Sequence, residues 1–226
     1  MKVAIQVAMP AEFHALPGAK TLQPIESISG VPFFEPAPGI IACAGGVGKV
    51  NAAITAEILC RRFGAELILN AGVAGCCTDL PVGSLVVADT LVQHDVDTTA
   101  VGDPIGLVST VNVTEFAAWQ PETCLALLRQ QGVSALAGRI ATGDWFAVKG
   151  QRAKWIADTF HPLLVEMEAC AVAQTCLRSG VKFAAVKSVS DHLFSDKQTQ
   201  EYFDFGQAIE KLGSVVLPLA QALALL

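Results

Sequence analysis

Short apolar runs alternate with amphipathic stretches along the whole chain, and no linker, repeat or low-complexity segment interrupts them. Residues 2–8 read as a strand, and Pro10 opens a short helix through residue 16. Residues 25–29 and 31–35 are hairpin candidates, the second weakened by Pro32, which cannot donate to a sheet ladder. Residues 39–44 read as a buried strand. Over residues 49–63 a helical period puts Val50, Ile54, Ile58 and Leu59 on one side, with Arg61 and Arg62 in the last turn. Strands are expected at 66–71, 85–92, 135–141 and 182–189, and helices at 122–131, ending at Gly132, and at 152–160. Residues 100–120 are loop-like. A strand at 163–167 runs into a helix that stops at Arg178-Ser179-Gly180, and a long helix from about residue 207 closes the chain. Strands and helices alternating in this way imply a mostly parallel sheet covered by helices, in one α/β domain spanning residues 1–226.

Composition narrows the function classes. Of 226 residues, 52% are apolar and 16% charged, with a formal charge of -6, which excludes a disordered chain. Folding would reduce the exposed surface from roughly 34,000 to roughly 9,800 Å², enough for a large core without disulfides or metal. A negative chain with no basic run is a poor partner for nucleic acid or an anionic membrane. So low a charged fraction leaves apolar surface to hide and points to a homo-oligomer. The seven cysteines (43, 60, 76, 77, 124, 170 and 176) lie in apolar stretches without a CxxC pair, and read as packing residues. The first eight residues carry one lysine and no export-like segment. The apolar tail, residues 212–226, is shorter than the roughly 20 residues a spanning helix needs. The expectation is a cytoplasmic protein with no membrane contact.

In an open α/β sheet, ligands sit beyond the carboxyl ends of the strands. Four polar places fall there: Met9-Pro10-Ala11-Glu12, Asn70 to Gly75, Val165-Glu166-Met167-Glu168-Ala169, and Ser188-Val189-Ser190-Asp191. Glu12 also suits the first turn of a helix, where an acid favours the macrodipole. Glu166 and Glu168 stand in an apolar stretch with no obvious Lys or Arg partner nearby, although a hidden ion pair would also accommodate them. Asp191 follows a core strand, where it could instead cap the next turn. Together the carboxylates suggest a pocket for a sugar or another polyhydroxylated ligand, with room for one acid kept protonated. Gly45-Gly46-Val47-Gly48-Lys49-Val50 fails as a Walker A loop, which needs Gly where Cys43 stands and Ser or Thr where Val50 stands. Gly72-Val73-Ala74-Gly75 allows close backbone approach to a ligand, or a tight turn. His94-Asp95-Val96-Asp97 lacks metal-ligand spacing, and the G-x-S-x-G elbow is absent, so neither metal nor cofactor is implied.

In order along the chain, these motifs resemble the nucleoside phosphorylase/nucleosidase superfamily, and within it the 5′-methylthioadenosine/S-adenosylhomocysteine nucleosidases. The resemblance rests on Ala8-Met9 with Glu12, Gly46 to Ala53, Asn70 to Gly75, Pro81 to Asp89, His94-Asp95-Val96-Asp97, Thr142 to Phe146, and above all Val165 to Ala169 and Ser190-Asp191. It implies a twisted, mixed central β-sheet flanked by helices, assembled as a homodimer. It also implies cleavage of an N-glycosidic bond through a ribosyl cation of oxocarbenium character. On this resemblance Asp191 protonates N7 of adenine and Ser190 orients its carboxyl. Glu168 holds the ribose hydroxyls with Met167 packed against the sugar, Met9 and Glu166 are further substrate-binding residues, and Glu12 is the general base for the attacking water. Phe146, otherwise readable as a core aromatic, stacks on adenine, and backbone groups near Ala147 read its polar edge. The chain departs from the pattern at Val73, before Ala74-Gly75, where these nucleosidases have Ser, and at Lys187, where they have Arg. Both family residues help position water and base, and Arg and Lys are not equivalent at a hydrogen-bonded site. Residues 101–113 and 194–205, which would shape the pocket for the 5′ substituent, match poorly. A phosphorylase should show an Arg near the central strand, yet the first arginine is Arg61 and residues 66–75 contain none. A futalosine-type hydrolase and a non-catalytic nucleoside-binding protein are the other readings.

Overall fold

A computed structural model describes residues 1–194 and 204–226. Among the described residues ten strands and six α-helices follow in the order β1 (Val3–Val7), α1 (Pro10–His14), β2 (Glu26–Ile28), β3 (Val31–Ala37), β4 (Ile40–Ala44), α2 (Lys49–Arg61), β5 (Leu67–Cys76) and β6 (Leu85–Gln93). The chain continues with β7 (Phe116–Ala117), α3 (Pro121–Gln130), β8 (Ala135–Thr142), α4 (Gln151–Phe160), β9 (Leu164–Glu166), α5 (Ala169–Ser179), β10 (Lys182–His192) and α6 (Phe205–Ala224). One mixed sheet holds them all. β1 pairs in parallel with β4 and β5, and the β2–β3–β4 meander extends that side antiparallel. On the other side β5 pairs with both β10 and β9, while β10–β6–β8–β9 completes a closed ring of strands. The mostly parallel sheet expected from alternation is therefore a mixed one, because β6 and β9 each run against a neighbour.

The apolar runs are unbroken because both sheet faces are covered. Along β1, Ala4 packs with Ala52, Ala56, Leu59 and Val172 of α2 and α5, whereas Val3, Ile5 and Val7 face Leu212, Val216 and Leu219 of α6. β5 divides in the same way, Ile68 to one side and Leu67 and Leu69 to the other, as the two-residue strand period requires. A third cluster around α4 joins Ile156 and Phe160 to Val165 and Leu193.

Three expectations need correction. α2 does not bury Val50 and Ile54, which are 69% and 48% exposed; its inner face is Ala52, Thr55, Ala56 and Leu59. Small residues let α2 lie close against the sheet and α5, so the bulkier apolar residues face outward. β5 runs on through Gly72–Gly75, and β10 through Asp191, beyond their expected ends. The two strands pair along almost their full length, which keeps Gly72 to Gly75 extended rather than in a turn. Within the loop-like 100–120 region a short strand, β7, pairs with β6. Among the described residues no helix is long and apolar enough to cross a membrane.

Candidate active site

β1, β5 and β10 are parallel, so their carboxyl ends reach the same sheet edge, where α/β sheets characteristically bind ligands. A cleft opens there. Met9, Glu12, Val73, Ala74, Gly75, Phe146, Ala147, Glu166, Met167, Glu168, Ser190 and Asp191 all line it, so twelve residues singled out from sequence meet in one place. Lys187 does not reach the wall; it is buried behind it.

Glu12 sits in the first turn of α1, carried there by the end of β1. The N–H groups of Ala8 and Met9 donate to its Oε2 at 3.0 and 2.9 Å, and the Val73 N–H donates to Oε1 at 2.9 Å. It thus caps its own helix and faces the cleft at once. Burial raises its pKa above the ordinary carboxylate range, against these amides and the charge of Lys187. The contact with residue 73 is through backbone, so Val73 supplies it as well as Ser would. Gly72 leaves the space between Glu12 and Lys187 open, since a Cβ there would lie 3.0 Å from Glu12 Oε1 and 3.2 Å from Lys187 Nζ.

Asp191 lies within β10, which removes the reading of it as a turn cap. At a bulge in β10, Val189 pairs with Ala74 and Asp191 with Gly75, leaving Ser190 between them. Bulges re-aim side chains, and here the Ser190 hydroxyl donates to Asp191 Oδ1 at 2.7 Å. Burial raises the Asp191 pKa, with the Ser190 bond opposing it. Asp191 thereby tends to keep its proton.

Glu166 has the cationic partner that the local sequence does not reveal. Lys187 Nζ lies 2.8 Å from its Oε2, both side chains being 2% exposed. Thr142 donates its hydroxyl to Oε1, and the N–H groups of Glu168 and Ala169 also donate to Glu166. Both oxygens are therefore engaged by the protein, although the residue borders the cleft. Burial alone would strip the proton from Lys187; Glu166, Glu168 and Glu12 outweigh it and raise its pKa. Glu168 accepts from the Gly48 N–H at 2.8 Å, and burial, followed by the repulsion of Glu166, pushes it up to about 7.

Val47, Trp145 and Phe205 also line the cleft; they fall in stretches the sequence marks, but with no role of their own there. The signal for Val47 was present in the Gly45–Gly48 run, weighed as a phosphate loop. Its amides do bind anions, but those of the protein itself: Gly48 N–H serves Glu168 and Lys49 N–H serves Asp144 at the start of α2. Phe146 is 56% exposed at the cleft, which removes its reading as a core aromatic. Of the 194–205 stretch, residues 195–203 lie outside the described residues. All seven cysteines are free, and burial pushes the Cys43 and Cys170 thiols up, as suits packing residues.

A mixed sheet whose strands β5, β10, β6, β8 and β9 close a ring, with four carboxylates gathered at one edge, sets the class of fold. Residues 2–223 match the model of the phosphorylase superfamily, and the chain belongs to that superfamily. Among its relatives, the chain is 32% identical over 227 residues to 5′-methylthioadenosine/S-adenosylhomocysteine nucleosidase of Shewanella halifaxensis, covering 94% of each chain. The nucleosidase of Helicobacter pylori, in complex with butyl-thio-DADMe-Immucillin-A, superposes with a TM-score of 0.88 at 25% identity over 98% of both chains. Futalosine hydrolase of Helicobacter pylori superposes with a TM-score of 0.87, also at 25% identity and 98% of both chains.

Proposed function

We propose that this protein hydrolyses the N-glycosidic bond of adenine nucleosides of the 5′-methylthioadenosine and S-adenosylhomocysteine type. The observation that carries the reading is Asp191: a half-buried carboxyl with a raised pKa, aimed by Ser190, at the wall of a cleft whose other carboxylates are held by amides or a cation. A protonated acid there supplies the proton that a purine needs in order to leave, at its N7. Glu168 takes the ribose hydroxyls beside Met167 and Met9, and Glu12 accepts the proton of the attacking water. Phe146 and the backbone at Ala147 meet the base. The leaving base pulls electrons from the sugar, and the carboxylates stabilise the cationic ribosyl group that develops.

Water, rather than phosphate, is the nucleophile in this reading. Glu12, Glu166, Glu168 and Asp191 line the cleft, while its described lining contains neither Lys nor Arg. Lys187, the nearest buried cation, already serves Glu166. Such a cleft repels phosphate. We further propose a cytoplasmic homodimer, supported by seven free thiols and by exposed Val50 and Ile54 on α2 with Leu177 on α5. Ile54→Glu should then shift the protein to monomer in light scattering; a wild-type monomer at micromolar concentration would end this reading.

Incubation with 5′-methylthioadenosine, with and without phosphate, tests the activity. Free adenine and methylthioribose in phosphate-free buffer are expected. Release only with phosphate, as a sugar 1-phosphate, would make the protein a phosphorylase, and turnover of futalosine alone would reassign the base.

A further inference from the structure

The His94-Asp95 pair takes no part in the reaction above, yet it joins the two walls of the cleft. Asp95 Oδ1 receives the ammonium of Lys49 at 2.6 Å, and Asp95 Oδ2 accepts the N–H of Asp144 at 2.8 Å. Asp144 Oδ1 in turn accepts the Lys49 N–H at 2.8 Å. Lys49 opens α2 directly after Gly48, whose N–H holds Glu168 and whose φ of 95° suits only glycine without strain. Asp144 directly precedes Trp145, Phe146 and Ala147, which line the opposite wall. His94 supports the same segment from below. Its buried ring meets Trp145 edge-on at 6.4 Å between centroids, and a Cβ on Gly143 would overlap it. Lys49 also donates to Gln93, and Gln93 to Gln174 of α5, the helix that begins just after Glu168.

We propose that Asp95 is a positioning residue: it locks the loop that presents Gly48 to Glu168 against the 143–147 segment, so that the ribose-side carboxylate and the base-side wall keep one spacing. Resting on the nucleosidase reading only for the roles of those two walls, the lock itself is a property of the free protein. Asp95 would otherwise be raised by burial, but Lys49 and the Asp144 N–H hold it below the usual carboxylate range. Its other titratable neighbour is His94, whose pKa burial lowers. Around Glu168 the facing groups are Glu166, Glu12 and Lys187 together with the Gly48 amide. Losing that amide leaves Glu168 with less support for its anion, so its pKa climbs.

The test uses the full chain with Asp95→Asn, and Lys49→Gln as a second variant in case the first folds poorly. An asparagine cannot accept from both donors, because one of its ends is itself a donor. Hydrogen exchange on the free proteins should show the Gly48, Lys49 and Asp144 amides exchanging at least about tenfold faster, with the central strands unchanged. With 5′-methylthioadenosine, kcat/KM should fall about 10- to 100-fold through KM as well as kcat, and the acid limb of its pH profile should move to higher pH. Unchanged exchange at those three amides overturns the proposal, as does faster exchange with kcat/KM and the acid limb left at wild-type values. Loss of protection spread evenly over the sheet overturns it too, by making Asp95 a general stability residue. If wild-type protein turns over no nucleoside, the nucleosidase reading fails, and the exchange result alone decides the role of Asp95.

Discussion

Lys187→Met takes from the buried Glu166 its paired cation, and the cost can be worked from the contacts. Lys187 and Glu166 are each 2% exposed and 2.8 Å apart. Methionine fills most of the lysine volume, so the cavity term is small and the loss is electrostatic. Glu166 keeps its bonds from Thr142, Glu168 and Ala169, but the repulsion between it and Glu168 is then no longer offset by Lys187. Removing one partner of a buried pair costs about 3–5 kcal/mol. For a chain of this size that is a melting-temperature drop of roughly 6–20 °C, at about 2–4 °C per kcal/mol.

Thermal and urea melts followed by circular dichroism measure this directly. The double variant Lys187→Met with Glu166→Gln should recover at least half of the loss, because a neutral amide no longer needs the cation. Because the pair is out of reach of mobile ions, added salt should leave the loss in place. A single variant within about 1 kcal/mol of wild type would refute the reasoning, since even an exposed pair reaches that value. A double variant no more stable than the single would place the cost in packing and not in charge.

Asp191→Asn should keep the fold and the Ser190 contact while lowering kcat by about 10²–10⁴-fold, the usual worth of a positioned acid; product chromatography decides, and activity within about threefold of wild type removes Asp191 from the mechanism. Glu168, held at about 7 when folded against an ordinary value of 4.5, keeps a proton that the unfolded chain has released between those values. Its contribution to stability therefore falls as pH rises across that window and levels off above it. Urea midpoints should be lower at pH 7.5 than at 5.5, and Glu168→Gln should flatten the difference; an identical slope in the variant counts against the assignment. Gly213→Ala, inside α6, would push a Cβ into the backbone carbonyl of Ala15, so it should destabilise by about 1–3 kcal/mol, and a melting temperature equal to wild type would show that α6 can shift freely on α1.

What could be read from the residues is what depends on nearby sequence. Glu12, Met167-Glu168 and Ser190-Asp191 stand out because polar groups directly follow apolar strands, and strand ends on one edge converge. The partner of Glu166 was hidden, because Lys187 comes beside it only when β9 and β10 both pair with β5. At Gly72-Val73-Ala74-Gly75 local composition leaves close backbone approach and a tight turn both open, and pairing with β10 at all four positions keeps the segment extended and removes the turn. On α2 the helical period was legible but its inward face was not. Alanine is weakly apolar, so Ala52 and Ala56 give less signal than Val50 and Ile54, although close packing selects the smaller pair.

The proposed reaction sets one kind of group to opposed tasks, and the donors around each carboxyl differ in number. Burial raises both Glu12 and Asp191. Hydrogen bonds and charges that favour the ionised form act against burial: Glu12 receives three amides and faces Lys187, whereas Asp191 receives one hydroxyl and faces His192. The anion is therefore met by more hydrogen-bond donors at Glu12 than at Asp191. Glycosidic hydrolysis by a paired acid and base needs that asymmetry, since a water must lose a proton at one place while the leaving base gains one at another. Val73 keeps it intact because the third amide belongs to the backbone, which any residue there would provide. Lys187 keeps it intact from behind the wall, where its charge is felt by Glu12, Glu166 and Glu168 together.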